Sequence, residues 1–421
     1  MITISRRTAI KLATAALVSA PAILRAQEQA RVVIVGGGFG GASLARTLRT
    51  IAPEISVTLI EKQPRFTTCP FSNAVLGGLR DLDSISFGYD TLVADGVELI
   101  AGEAIAIDPD ARSVRLADGE SVSYDRLVLS PGVQMIWDAI EGYDAAAAEI
   151  MPHAWEAGPQ TQLLADQLRA MEDGGVVLIA SPPNPFRCPP GPYERASLIA
   201  HYLNTNKPRS KILIVDAKDS FSKQPLFEEA WAELYPGMIE WIPAAMTGRI
   251  GSVDPQAMSL STDFDTFTAD VANIIPPQRA GAIALALGLD EGRGYCTVDP
   301  LTFESAVVPG IHILGDAAIM GAMPKSGFSA NSQAKACAHA LVALIRGEDV
   351  ADPVLLNTCY SLVAPEYGIS VSGAYRGLAE IEGTGGASPV GAETGVRQQE
   401  ARDAMSWYAN ITREMFWVRG V

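Results

Sequence analysis

"ARVVIVGGGFGGASLARTLRTIAPEISVTLIEK", residues 30–62, decides how this chain folds. Val32–Val35 is an apolar run short enough for one buried strand. Gly36, Gly38 and Gly41 follow at G-x-G-x-x-G spacing. Ala42–Thr50, with Ala42, Leu44, Ala45 and Leu48 apolar, reads as a helix, and Val57–Ile60 is a second strand ending in Glu61. Each part has a physical task. Gly36 permits a tight turn, Gly38 lets a pyrophosphate approach the backbone, and Gly41 lets helix and strand pack closely. The helix N-terminus attracts phosphate charge. Glu61 stands where a carboxylate accepts hydrogen bonds from ribose hydroxyls. Strand, glycines, helix, strand and acid in this order predict a dinucleotide-binding Rossmann unit.

A chain of 421 residues exceeds one ordinary core, so two or three domains are expected. The net charge of −16 argues against nucleic acid or an anionic membrane surface and suits a basic protein partner. Residues 1–26 stand apart. Arg6-Arg7, the apolar run Leu12–Pro21 and the small residues after it have the plan of a twin-arginine export signal. The run is too short to span a bilayer. Its removal takes away four basic and no acidic residues, leaving 28 basic against 48 acidic, or −20. The mature protein is therefore expected to be soluble in a bacterial periplasm, a compartment that permits disulfides.

The cysteines are Cys69, Cys188, Cys296, Cys337 and Cys359. An odd number leaves at least one free, used, or paired elsewhere. The absence of C-x-x-C and C-x-x-C-H argues against a zinc ribbon and excludes a c-type haem in this chain. His153, His201, His312 and His339 are scattered, and no metal ligands are assigned.

Two later segments choose FAD over NAD. "VSYDRLVLSPG" (122–132) ends a strand in Pro131-Gly132. In 308–345 the strand Ile311–Leu314 meets Gly315-Asp316 and then a long helix. Both resemble two-dinucleotide-domain flavoprotein reductases, in which the Asp of such a turn binds flavin ribityl or phosphate groups. Asp316 is given that role, with a helix N-cap as the plainer alternative. The following helix is expected to aim its N-terminus at the flavin pyrimidine edge. Lys325, near its start, is a candidate for negative charge there, or else a surface lysine.

The second glycine fingerprint of NAD(P)H-dependent reductases is missing. The strand "GGVVLIA" (174–180) is followed by Pro182, Pro183, Pro185, Pro189 and Pro190 around Cys188. Proline lacks an N–H and fixes φ, so this loop cannot cradle a pyrophosphate in the same way. "SKILIVDAK" (210–218) is the next strand, with Asp216 at its end. Cys188, just before a helix, is expected to have a lowered thiol pKa. Arg187 and Arg195 add positive potential. Glu194 is a proton acceptor or a solvent-facing first-turn acid.

"TTCPFSNAVLGG", "PFRCPPGPYERAS", "NIIPPQRAG", "MPKSGFSANSQAK" and "LNTCYSLVAPEYGIS" resemble the flavoprotein subunit of flavocytochrome c sulfide dehydrogenase through nearly the whole mature chain. The resemblance implies an α/β fold of the FAD/NAD-linked disulfide reductase type: two Rossmann-like domains and a C-terminal α+β domain. Residues 30–150 and 275–350 would form the FAD domain, 151–274 the second unit, and 351–421 a capping or interface domain. It further implies FAD bound covalently through Cys69 and a redox-active disulfide between Cys188 and Cys359. Pro70, directly after Cys69, departs from the bulkier residue expected of relatives. Cys296 and Cys337 read as core thiols. Tyr360, Trp407, Tyr408, Phe416 and Trp417 are capping, interface or core aromatics, and 380–395 reads as a Gly/Ala-rich loop.

The implied chemistry is oxidation of hydrosulfide to sulfur or polysulfide. Hydrosulfide attacks the disulfide by thiol exchange, with Cys188 taking the persulfide and Cys359 the thiolate, or the reverse. FAD then carries electrons to a separate c-type cytochrome subunit. A sulfide:quinone oxidoreductase, an NADH-dependent disulfide reductase and a non-catalytic docking or sulfur-carrier flavoprotein are the competing readings.

Overall fold

The computed structural model describes residues 29–376 and 382–416, so the leader 1–26 and Trp417 lie outside the described residues. β1 (Arg31–Val35) runs into the glycine turn, and α1 (Phe39–Ile51) begins directly behind it with Gly38 at its cap position. β2 (Ser56–Glu61), α2 (Ser72–Leu76), β3 (Glu98–Ala101) and β4 (Arg126–Leu129) follow. The central segment carries β5 (Val176–Ser181), α3 (Gly191–Asn206), β6 (Lys211–Asp216), α4 (Gln224–Leu234), β7 (Ile239–Ile242) and β8 (Val271–Ile274). The chain then returns through β9 (Ile311–Ile313) and α5 (Gly327–Arg346). It ends in β10 (Leu355–Ala364), β11 (Tyr367–Arg376), β12 (Glu382–Ala387) and α6 (Thr394–Phe416).

The first sheet is parallel with order β9-β4-β1-β2-β3, so its strands come from two separate stretches of chain. Val32–Ile34 and Leu127–Leu129 are almost fully buried, as expected when helices and loops cover both faces of a parallel sheet. Chain order reverses between β1 and β4, and the crevice for a ligand opens at the carboxyl ends of those strands. The second sheet is also parallel, order β7-β6-β5-β8. Its reversal lies between β5 and β8, which puts the proline loop and Cys188 at the matching position.

The third sheet, β10-β11-β12, is antiparallel. Here the structure corrects the sequence reading of 380–395 as a loop, since Glu382–Ala387 pairs with Val371–Arg376. The glycines serve close approach: a Cβ on Gly385 would sit 2.0 Å from the Ser372 carbonyl oxygen, and one on Gly383 would meet the Tyr375 ring at 2.7 Å. α6 folds back over the first unit. Phe416 stacks on Phe87 with ring centroids 5.3 Å apart, and Arg46 donates to the Met415 carbonyl at 3.3 Å. The end of α6 thus packs against α1 and Phe87 of the first unit. Tyr408 and Phe416, both 3 % exposed, are packed within the fold and not on an outer face.

Candidate active site

The glycine cradle is built as its spacing demands. Gly36 has φ +100° and lies so close to β4 that a Cβ would come within 2.3 Å of the Ser130 carbonyl oxygen. A Cβ on Gly41 would meet the Gly36 carbonyl oxygen at 1.8 Å, so α1 seats directly against the turn. Glu61 accepts from the Gly37 amide at 2.7 Å and the Gln63 amide at 2.8 Å. It braces the turn, and a carboxylate with these two bonds retains lone pairs for ribose hydroxyls.

Asp316 sits on a single helical turn, Gly315–Ala317, after β9. Its Oδ1 is buried without a hydrogen-bond partner. Burial raises its carboxyl pKa, opposed by Arg187 and then Lys325. The N-cap of α5 is Ser326, whose Oγ accepts from the Ser329 amide at 3.0 Å, so Asp316 does not cap that helix. Gly315 has φ +74° and donates its amide to Gln333 at 2.8 Å. An orphaned carboxylate oxygen beside a cradle with no room for side chains fits the ribityl and phosphate groups of FAD. Lys325 is neither a surface lysine nor free to turn toward the crevice. Its Nζ donates to the carbonyls of Asp316 at 2.9 Å and Ala318 at 2.7 Å and lies 3.9 Å over the Tyr295 ring. Burial pulls it down to about 8, with Asp316 and Cys296 opposing.

Cys69 ends a loop fixed at both sides. Tyr408 and Thr68 hydroxyls meet at 2.7 Å, Ser72 donates to the Cys69 carbonyl at 2.7 Å, and Phe71 holds φ +67°. The Cys69 thiol donates to the Trp155 carbonyl at 3.5 Å, a group also bound by the Arg187 guanidinium. Cys188 is in the left-handed region at φ +57°, its amide donating to the Lys325 carbonyl at 2.9 Å. Cys359 is buried on β10, with Asn357 Nδ2 donating to its sulfur at 3.3 Å.

These sulfurs share one environment. Burial pushes the Cys188 thiol well up, Glu194, Cys359 and Cys69 add to it, and Lys223 opposes. The expected lowering of Cys188 by the helix N-terminus is therefore reversed, because desolvation outweighs it. Cys188 and Cys359, like Cys69, Cys296 and Cys337, are free thiols here, the form that the expected redox pair takes when open. Glu194 belongs to the site and does not face solvent. Its carboxyl is raised by burial, against Asn73, Lys223, Ser361 and Arg195, and Asn73 donates to it at 3.0 Å. Cys296 and Cys337 are fully buried core thiols.

The crevice of the second sheet is filled from within. Tyr193, on the first turn of α3, stacks on Phe221 at 3.7 Å and donates its hydroxyl to Asp216. Trp241 donates to the same carboxylate at 2.9 Å and Lys218 at 2.6 Å. Asp216, fully buried, has no face left toward a ribose. His153 is drawn in as well: its Nδ1 accepts from the Trp155 amide at 2.9 Å, and burial with Arg195 and Arg187 pulls it down to about 4.

Sequence reasoning missed Lys223, Ser361, Asn73 and Trp155. Ser361 and Asn73 lie inside two of the motif segments quoted above, two residues beyond Cys359 and four beyond Cys69. Lys223 carries no local signal. It holds φ +63° ahead of α4 and sends its Nζ to the Cys359 carbonyl at 2.9 Å and Ser361 Oγ at 2.7 Å.

Three family models match the chain. "Pyridine nucleotide-disulphide oxidoreductase" matches residues 30–160, "Sulfide dehydrogenase [flavocytochrome c] flavoprotein chain, central" matches 161–276, and "Flavocytochrome c sulphide dehydrogenase, flavin-binding" matches 351–416. A sulfide dehydrogenase [flavocytochrome c] flavoprotein chain from Chlorobaculum thiosulfatiphilum is 69% identical over 45 residues, 11% of this chain and 94% of that one. A sulfide-quinone reductase from Aquifex aeolicus is 32% identical over 184 residues, 43% of this chain, and the match spans only 41% of that relative's length. Among solved structures, the sulfide:quinone oxidoreductase from Aquifex aeolicus superposes with a TM-score of 0.69 at 20% identity, covering 91% of this chain and 92% of that one. A putidaredoxin reductase in covalent complex with putidaredoxin gives 0.66 at 17% identity, covering 89% and 93%. At these identities the superpositions establish the fold.

Proposed function

This chain belongs to the family of flavocytochrome c sulfide dehydrogenase flavoprotein chains, and on that premise we propose that it oxidises hydrosulfide through Cys188 and Cys359. The observation that carries the proposal is that Cys188 in the proline loop lies within electrostatic range of Cys359 on β10, of Glu194 and of Lys223, which itself bonds the Cys359 carbonyl at 2.9 Å. Gly36, Gly38, Gly41, Glu61, Gly315 and Asp316 would hold FAD, with Cys69 as its covalent anchor. When bound, FAD accepts the electron pair and releases electrons singly. The chain's own work is the sulfur exchange. Hydrosulfide attacks Sγ of Cys188, the Cys188–Cys359 bond breaks, and Cys359 leaves as the thiolate. Glu194, with its raised carboxyl, takes the proton of the persulfide formed on Cys188. Lys325 fixes the Cys188 amide through its carbonyl and braces the Asp316 turn through its ammonium.

A c-type cytochrome subunit is the proposed acceptor, in keeping with a chain charge of −16. The leader 1–26 would direct the protein to the periplasm by the twin-arginine route. Sulfide:quinone oxidoreductase, the second reading, rests on the Aquifex relative and shares the sulfide half-reaction. Among the described residues no helix is long and apolar enough to cross a membrane. The purified protein is expected to reduce a c-type cytochrome with sulfide at least about tenfold faster than it reduces decylubiquinone. A reversed ratio would assign the acceptor to quinone. NADH should leave its flavin oxidised, because Tyr193 and Asp216 fill the second crevice.

Covalent attachment gives a separate prediction. Acid-precipitated protein should stay yellow, and the Cys69 peptide should carry the added mass of FAD. Cys69→Ser should release all the flavin to the supernatant. Release from the unsubstituted protein would show that the loop held by Tyr408 and Ser72 binds FAD without a covalent bond.

A further inference from the structure

Lys223 is a buried cation of the candidate site that the reaction as drawn does not use. It is 9 % exposed, and its ammonium lies 5.7 Å over the Phe227 ring. Its two hydrogen-bond acceptors, the Cys359 carbonyl and Ser361 Oγ, are neutral. Among the described residues no carboxylate lies within ion-pair distance of it. An ammonium has three donors, so one remains, together with most of the charge. Burying such a group is costly unless an anion compensates it. Burial pulls the Lys223 ammonium down, and Cys359 on β10, Glu194 on α3, Cys188 in the proline loop and Glu400 on α6 oppose this and favour its charge. Arg187, Arg195 and Cys69 also act on Glu194 or Cys188, and Tyr375 on β11 acts on Cys359.

Resting on the reading of Cys188 and Cys359 as a redox pair, we propose that Lys223 is the counter-charge for the thiolate left on Cys359 when that pair opens. The exchange brings one negative charge in with hydrosulfide. The bond from its sulfur to Cys188 forms, the bond between Cys188 and Cys359 breaks, and the charge emerges on Cys359. The sulfide sulfur is oxidised to the persulfide level and Cys359 is reduced to thiolate, so atoms, charge and electrons balance. The negative charge therefore moves into a pocket that already holds a fixed positive one. The geometry also decides the direction of opening. Lys223 grips the backbone of Cys359 itself, and Asn357 donates to its sulfur, whereas Cys188 faces the acidic Glu194. Cys359 is the better leaving group for that reason. Ser361, accepting from Lys223 and bonded to Glu194, ties the cation to the proton acceptor. Lys223 escapes sequence reading because a left-handed residue ahead of α4 brings it to a strand more than a hundred residues away.

The test uses the flavin-containing protein reduced by a dithiol, freed of reductant without oxygen, and treated with methyl methanethiosulfonate across a pH series. Peptide masses report the labelling of each cysteine. Lys223→Gln keeps a donor for both acceptors and removes the charge; Lys223→Met keeps the apolar stem. In both, the pH profile of Cys359 labelling should move up by about one unit, roughly tenfold slower labelling at pH 7, while Lys223→Arg stays within about threefold of the parent. Cys359 profiles unchanged in Lys223→Gln, or a shift confined to Cys188, would overturn the proposal. No sulfide enters this measurement. Sulfide-driven reduction of the unsubstituted protein tests the sulfide reading, and the two can fail independently.

Discussion

Cys188→Ser is expected to lower the anaerobic rate of flavin reduction by sulfide by about a thousandfold or more, with FAD still bound. The substitution removes the sulfur that hydrosulfide attacks and leaves the loop intact. Position 188 is held by backbone contacts, its amide to the Lys325 carbonyl and its carbonyl to the Gly191 amide at 2.8 Å, and serine can make both. The cradle at Gly36 and the Asp316 turn are untouched. A serine hydroxyl cannot form the disulfide that accepts the electron pair, so no partial activity through Cys359 alone is expected. Bleaching at an undiminished rate would mean that hydrosulfide reduces the flavin directly and that the cysteines serve another purpose.

The second large effect is on stability. Arg195→Met should destabilise the protein by about 3–5 kcal/mol, read as a fall in the denaturant midpoint. Arg195 is 2 % exposed and joins four segments. It donates to Asn73 on α2 at 3.0 Å, to the carbonyls of His153 at 2.9 Å and Ala154 at 2.6 Å, and to Asn273 on β8 at 2.8 Å. Methionine fills the space but takes the donor from the Asn73 and Asn273 side-chain oxygens and the Ala154 carbonyl, the His153 carbonyl keeping Asn273 Nδ2 at 2.7 Å, and it removes the positive charge that lies beside Glu194. The site would loosen with the fold, because Asn73 also positions Glu194. A change below about 1 kcal/mol would show that water replaces the guanidinium at that junction.

Particular residues explain what the sequence made legible. The dinucleotide unit could be read because its glycines answer local demands: a left-handed turn at Gly36, and contact between Gly41 and the turn. Those demands leave a fixed spacing. The missing second fingerprint was equally local, since five prolines cannot supply the amides of a phosphate cradle. What fills that crevice was not legible, because Tyr193, Phe221, Trp241 and Asp216 meet only once β6 and α3 are packed. Cys188 and Cys359 could be paired only through resemblance, as one lies in the proline loop and the other on β10, far apart in the chain. The thiol acidity inferred for Cys188 from a helix N-terminus failed because burial, a property of the whole fold, outweighed a local dipole. Lys325 looked available to the crevice, yet its ammonium is bound to two carbonyls and a ring. The strand Glu382–Ala387 was hidden for a simpler reason: glycine suggests a loop wherever the partner strand that demands it cannot be seen.

The most direct test is a disulfide map of the purified protein in air, digested without reductant after free thiols are blocked. The account predicts one linked species joining the Cys188 and Cys359 peptides, lost on treatment with sulfide, with Cys296 and Cys337 recovered as blocked thiols. Recovery of Cys188 and Cys359 as separate blocked peptides from protein that still oxidises sulfide would contradict it.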